Sequence, residues 1–150
     1  MKVAVSGALR WPDGPFHFAL GGRTVNTEIF MRLLETLERR ARFTHKRMIL
    51  VLDNGPEHTS WLSLFELARL SDVLSVFWLP PYTSETLQYL EGVWKHLEED
   101  YFSRMLVRDP KDFPRAVERL LSGLRRAKAL RRMLKPRHRN PMEKDLLPVA

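Results

Sequence analysis

Three observations predict an α/β fold. Two short runs, Met48–Leu52 (MILVL) and residues 74–79 (LSVFWL), are apolar at almost every position and stop at turn residues. Segments with helical spacing of apolar side chains lie between and after them. Upstream, residues 2–20 hold two strand-like runs around dense turn chemistry, the pattern of a β-hairpin. A strand that short and apolar on both faces is expected at the centre of a parallel-type arrangement, covered by helices.

Taken in order, residues 2–9 (KVAVSGAL) form the first strand. Trp11-Pro12-Asp13-Gly14-Pro15 supplies the turn, where Pro presets φ and Gly accepts positive φ. Residues 16–20 (FHFAL) alternate with period two and form the second strand. Gly21-Gly22 ends it. Asn26 or Thr27 caps a helix over about 27–42, with Glu28 in its first turn and Ile29, Phe30, Leu33, Leu34, Leu37 and Ala41 on one stripe. The 48–52 strand ends at Asp53-Asn54-Gly55-Pro56. Thr59 or Ser60 then caps a helix reaching about Ala68. The 74–79 strand is stopped by Pro80-Pro81. After a polar loop, Leu87, Leu90, Trp94, Leu97 and Tyr101 mark another helix. Asp112 caps a last one, with Phe113, Val117, Leu120, Leu121, Leu124 and Leu130 as its apolar face and Gly123 as its weak point. The tryptophans at 61, 78 and 94 and Tyr82 are expected in or near the core. Residues 136–150 read as a basic tail.

At 150 residues, 44% of them hydrophobic, the chain can build a real core. It has no cysteine, which excludes disulfides, thiolate metal sites and thiol nucleophiles and fits a reducing compartment. No apolar run approaches the roughly 20 residues of a membrane span, and the N-terminus lacks a signal-peptide pattern. A cytoplasmic protein without a membrane partner is the expectation. The charge is uneven. Residues 104–150 carry 14 basic and 5 acidic side chains, a net of +9, whereas residues 1–103 carry 11 and 13, a net of −2. This predicts a body over 1–106, a basic helical region over 107–135 and a basic tail over 136–150. Arg115, Arg119, Arg125, Arg126, Arg131 and Arg132 are the candidates for meeting a polyanion such as DNA.

In open α/β sheets, ligand chemistry sits beyond the carboxyl ends of the parallel strands. Two exits qualify. The first carries Asp53, Asn54, Glu57 and His58. The second leads through Pro80-Pro81-Tyr82 to Glu85 and Glu91. Facing carboxylates repel unless a divalent cation lies between them, and carboxylate oxygens suit Mg²⁺ or Mn²⁺. Two such ions with shared carboxylates suit phosphodiester chemistry. Asp-Asn at a strand end is more often a turn or helix-cap device than a metal site.

The residues at both exits carry a family likeness. Ile49-Leu50-Val51-Leu52-Asp53-Asn54, with His58 four residues after Asn54, resembles the second-aspartate motif of DDE superfamily transposases of the mariner and bacterial insertion-sequence type. Leu79-Pro80-Pro81-Tyr82 followed by Glu91-Gly92-Val93-Trp94 resembles their third motif, a Leu-Pro-Pro-Tyr loop before an acidic residue and a tryptophan on a helix. Val5-Ser6-Gly7-Ala8-Leu9 and Asn26 before Phe30 resemble the family's middle section, so the likeness covers about residues 1–105. It implies an RNase H-like mixed sheet flanked by helices. It also implies Mg²⁺ or Mn²⁺ held by Asp53 and Glu91, support from Asn54 and His58, and attack on DNA phosphodiesters by water or a 3′-hydroxyl. The chain departs from the pattern in three ways. The loop 83–90 is one residue longer and lacks Asn-Pro; Trp94, three residues past Glu91, favours Glu91 over Glu85. Asp13, the sole acidic residue before Glu28, sits in a turn and cannot stand for the family's first aspartate. The helical DNA-binding region is also absent from these 150 residues. The expectation is therefore a transposase fragment lacking the first strand of the sheet, partnered by DNA and by either an upstream transposase half or a second copy. The alternative is a catalytically inactive DNA-binding remnant.

Overall fold

The structure, a computed structural model, describes residues 2–10, 15–81, 89–105, 107 and 109–124. Its elements run β1 (Val5–Leu9), β2 (Phe16–Leu20), α1 (Thr27–Thr44), β3 (Met48–Leu52), α2 (Pro56–Thr59), α3 (Trp61–Arg69), β4 (Leu74–Trp78), α4 (Tyr89–Asp100) and α5 (Phe113–Gly123). Single 3-10 turns occupy Phe102–Arg104 and Pro110–Asp112. The arrangement is mixed α/β. No helix among the described residues is long and apolar enough to cross a membrane.

β1 and β2 pair antiparallel, Val5 opposite Leu20 and Leu9 opposite Phe16. Alternation then sorts their side chains onto two faces. Ala4, Ala8 and Ala19 face α1, while Phe16 and Phe18 face α4 and α5. The small residues let α1 lie close. The aromatics fill a second cluster with Val93, Leu97, Val117, Leu121 and Leu124. Gly7 sits inside that cluster: a Cβ there would come 2.7 Å from the Phe16 ring and 2.8 Å from the Trp94 ring.

β3 and β4 pair parallel, Met48 opposite Leu74 and Leu52 opposite Trp78, joined through α2 and α3. Leu52 and Leu74 enter the first cluster with Ile29, Phe30, Leu33, Leu34 and Leu37 of α1 and Leu67 of α3. The expectation that this strand is covered on both faces is corrected here. Ile49, Val51 and Phe77 point away from the cluster and are exposed. The helices α4 and α5 lie on the aromatic face of the hairpin instead. Among the described residues the two strand pairs form separate sheets, with no ladder between β1 and β3.

Helix α1 starts as expected: the Asn26 side chain accepts from the Ile29 N–H, and Glu28 lies in the first turn. It runs two residues beyond the expected end and closes at His45, whose φ of 52° places a non-glycine residue in the left-handed region. Between Pro56 and Arg69 there are two helices, not one. Pro56 opens the first, where its missing N–H costs nothing, and Ser60 caps the second by accepting from the Ser63 N–H. Asp112 makes no side-chain cap to α5, while Asp109 caps the preceding 3-10 turn through the Lys111 N–H. Trp61 is exposed instead of joining the core, and Tyr101 lies beyond α4, also exposed. Tyr82, Leu87 and Leu130 fall outside the described residues.

Candidate active site

The exit of β3 is built from backbone geometry first. The Leu79 N–H donates to the Leu52 carbonyl at 2.8 Å, extending the parallel ladder one residue past β4. Pro80 and Pro81 have no N–H, so the ladder cannot continue by backbone donors from that side. The Asn54 side chain takes over: its Nδ2 donates to the Leu79 carbonyl at 2.8 Å. One amide thus ties the two strand exits together at the point where the chain turns away.

Asp53 is the first residue past β3. Its Oδ1 accepts from the Gly55 N–H at 3.1 Å, which closes the turn, and meets His58 Nδ1 at 2.7 Å. A carboxylate oxygen only accepts, so Nδ1 carries the proton and donates. Both contacts fall on Oδ1; among the described residues Oδ2 accepts no hydrogen bond. The Asp53 side chain is 35% exposed and that of His58 16%. The turn role and a ligand role are therefore compatible: one oxygen shapes the loop and the other is not engaged by the described residues.

His58 is held from behind. Its ring lies 4.6 Å from the fully buried Phe30 ring of α1. The buried Ser63 hydroxyl donates to the Glu57 carbonyl at 2.5 Å, Ser60 donates to Ser63, and Thr27 donates to Ser60 at 3.1 Å. This chain of hydroxyls fixes α2 against the start of α1. His58 lies on α2, ahead of the helix start expected at Thr59 or Ser60, and no local sequence pattern marks the hydroxyl chain. The proline after Gly55 was the available signal for the extra turn of helix.

Glu91 lies in the third position of α4; its side chain, and its distance from Asp53, fall outside what the structure describes. The same holds for Glu85. Among the described residues, no three His, Asp or Glu side chains converge to hold a metal. Asp53 alone offers one hard oxygen donor of the type Mg²⁺ or Mn²⁺ takes, which fits a divalent centre needing further carboxylates. Arg115 and Arg119 are exposed on α5 and line an open groove with Glu118 and Ser122. Arg125, Arg126, Arg131 and Arg132 fall outside the described residues.

A family model for DDE superfamily endonucleases matches residues 2–113. The chain belongs to this family. Comparison with curated proteins returns no match. The DDE endonuclease match runs from before β1 to the start of α5 and takes in both exits, Asp53 and Glu91 included. Members are transposase-type nucleases that act on DNA and generally depend on divalent metal ions.

Proposed function

We propose that this chain supplies Asp53 and Glu91 to a divalent-metal centre that cuts and rejoins DNA phosphodiesters during transposition of an insertion-sequence-type element. The observation that carries the reading is the state of Asp53. It stands at the carboxyl end of a parallel strand, with Oδ1 engaged by Gly55 and His58 and no hydrogen bond to Oδ2 among the described residues. Asn54 binds this exit to the one that leads toward Glu91.

A pair of Mg²⁺ or Mn²⁺ ions, when bound, activates the attacking water or 3′-hydroxyl and stabilises the leaving oxygen. Asp53, through Oδ2, and Glu91 are the residues that would hold them. His58 donates to Oδ1 and so fixes the orientation of the carboxylate. Asn54 fixes the spacing of the two exits. Arg115, Arg119, Arg125, Arg126, Arg131 and Arg132 would neutralise phosphates flanking the scissile bond. Among the described residues no group of three such side chains completes the centre, and a third carboxylate would come from a further strand of the family's fold. Among the described residues β1 pairs only with β2 and β3 only with β4, which leaves each an open edge in the hydrogen-bonding pattern for a strand that carries it.

That same feature favours a second reading, in which the 150 residues by themselves bind DNA and cut nothing. Nicking of a supercoiled plasmid separates the two. The chain alone is expected to bind without nicking, and to nick in Mn²⁺ when a polypeptide supplying the strand and its aspartate is added. Asp53→Ala should abolish the nicking. Nicking by the purified chain alone, lost on Asp53→Ala, would show that residues within the 150 complete the centre.

A further inference from the structure

Helix α3 is apolar nearly all round, and only one side of it is covered. Ser63, Leu67 and the following Leu70 are buried toward α1 and β4. At about 100° per residue, Leu64, Ala68, Trp61 and Phe65 form a continuous outer arc, with Leu62 on its flank. Trp61 is 79% exposed and Phe65 66%; Leu62, Leu64 and Ala68 are exposed too. A helix with apolar side chains on every side is normally a buried one, and a contiguous apolar patch with a polar rim marks an interaction site.

We propose that the outer face of α3 is the contact by which two copies of this chain pair about a two-fold axis. The area supports a second copy. Aromatic side chains carry roughly 150–250 Å² each. At the observed exposures, Trp61 and Phe65 with the two leucines present on the order of 500 Å² per copy, and a symmetric pair that covered all of it would bury about 1,000 Å², the lower bound for a specific interface. The charge supports it as well. The positive excess lies in residues 104–150, while residues 1–103, which include α3, sum to −2, so net charge does not oppose pairing through this face. At its rim Arg69 is bound by Glu66 at 2.6 Å and by Glu38 at 2.7 Å. A rim holding both signs is self-complementary across a two-fold axis, where each copy presents the same patch. The arc and the candidate DNA contacts Arg115 and Arg119 lie on different helices, α3 and α5, so pairing and DNA contact use different residues.

The test is the mass of the full chain by light scattering over a range of micromolar concentrations, with the chain's lack of cysteine exploited for linking. A monomer–dimer equilibrium is expected, and Trp61→Ser should raise its Kd by roughly thirtyfold with an unchanged far-ultraviolet spectrum. Ala68→Cys in the otherwise intact chain should be joined to its twin by a short bis-maleimide, and Ser122→Cys on α5 should not. A monomer at all concentrations overturns the proposal. So does a dimer indifferent to Trp61→Ser whose Ala68→Cys variant stays unlinked, because another surface then makes the contact.

Discussion

Gly7 has no room for a side chain. Its position in β1 faces the ring of Phe16 across the hairpin and the ring of Trp94 from α4, which meet edge to face at 5.6 Å. Gly7→Ala is expected to cost about 1–3 kcal/mol, because neither ring can withdraw without disturbing the buried cluster. Urea unfolding measures this. A variant as stable as the parent would mean that α4 does not sit on the hairpin as described. Asp53, Asn54 and His58 are the other residues whose positions are set by single contacts. Their sequence identifies them as a group, but the bond from Asn54 to the Leu79 carbonyl spans 25 residues. No local pattern signals it; only the pairing of Leu52 with Trp78 brings those atoms together.

Between elements, the tie most open to measurement is the one from α1 to α3 and β4. Glu38 accepts from Arg69 and Arg42, and Arg42 also donates to Asp72. The Arg69 guanidinium first, and Arg42 second, hold the Glu38 carboxyl below its usual range. A depressed carboxylate contributes stability that is present above its unfolded-state pKa and is lost as pH falls through the folded value. Glu38→Gln is therefore expected to cost at most about 1 kcal/mol at neutral pH, since both arginines stand half in water. The difference from the parent should fade on acidification below the carboxylate range and in high salt. A difference that grows on acidification would contradict the assignment. Element by element, legibility follows length. Helix α1 could be read from its cap, its acidic first turn and six apolar positions in register. Helix α2 could not, because four residues hold no periodicity. The runs at β3 and β4 were readable as strands. Periodicity reports what prefers burial and not what covers it, which is why Ile49, Val51 and Trp61 stand exposed against expectation.

For the whole molecule, charge and packing point to different roles for the same helix. α5 buries Val117 and Leu121 against the hairpin while Arg115 and Arg119 face outward. Removing the segment would therefore open the aromatic cluster, so side-chain changes are the better probe of DNA contact. DNA affinity is expected to fall with salt, and Arg115→Ala with Arg119→Ala should flatten the log–log slope by roughly 2, at about 0.9 per phosphate contact. An unchanged slope would remove α5 from the interface. The central claim, that Asp53 and Glu91 are ligands of one divalent centre, is tested most directly by a crystal structure grown with Mn²⁺. Anomalous density is expected beside Asp53 Oδ2 at metal–oxygen distance, roughly 2.0–2.6 Å, with the Glu91 carboxylate on the same ion or on a second one within about 4 Å. Ordered Asp53 and Glu91 carboxylates more than about 10 Å apart, pointing away from each other with no density between them, would contradict it.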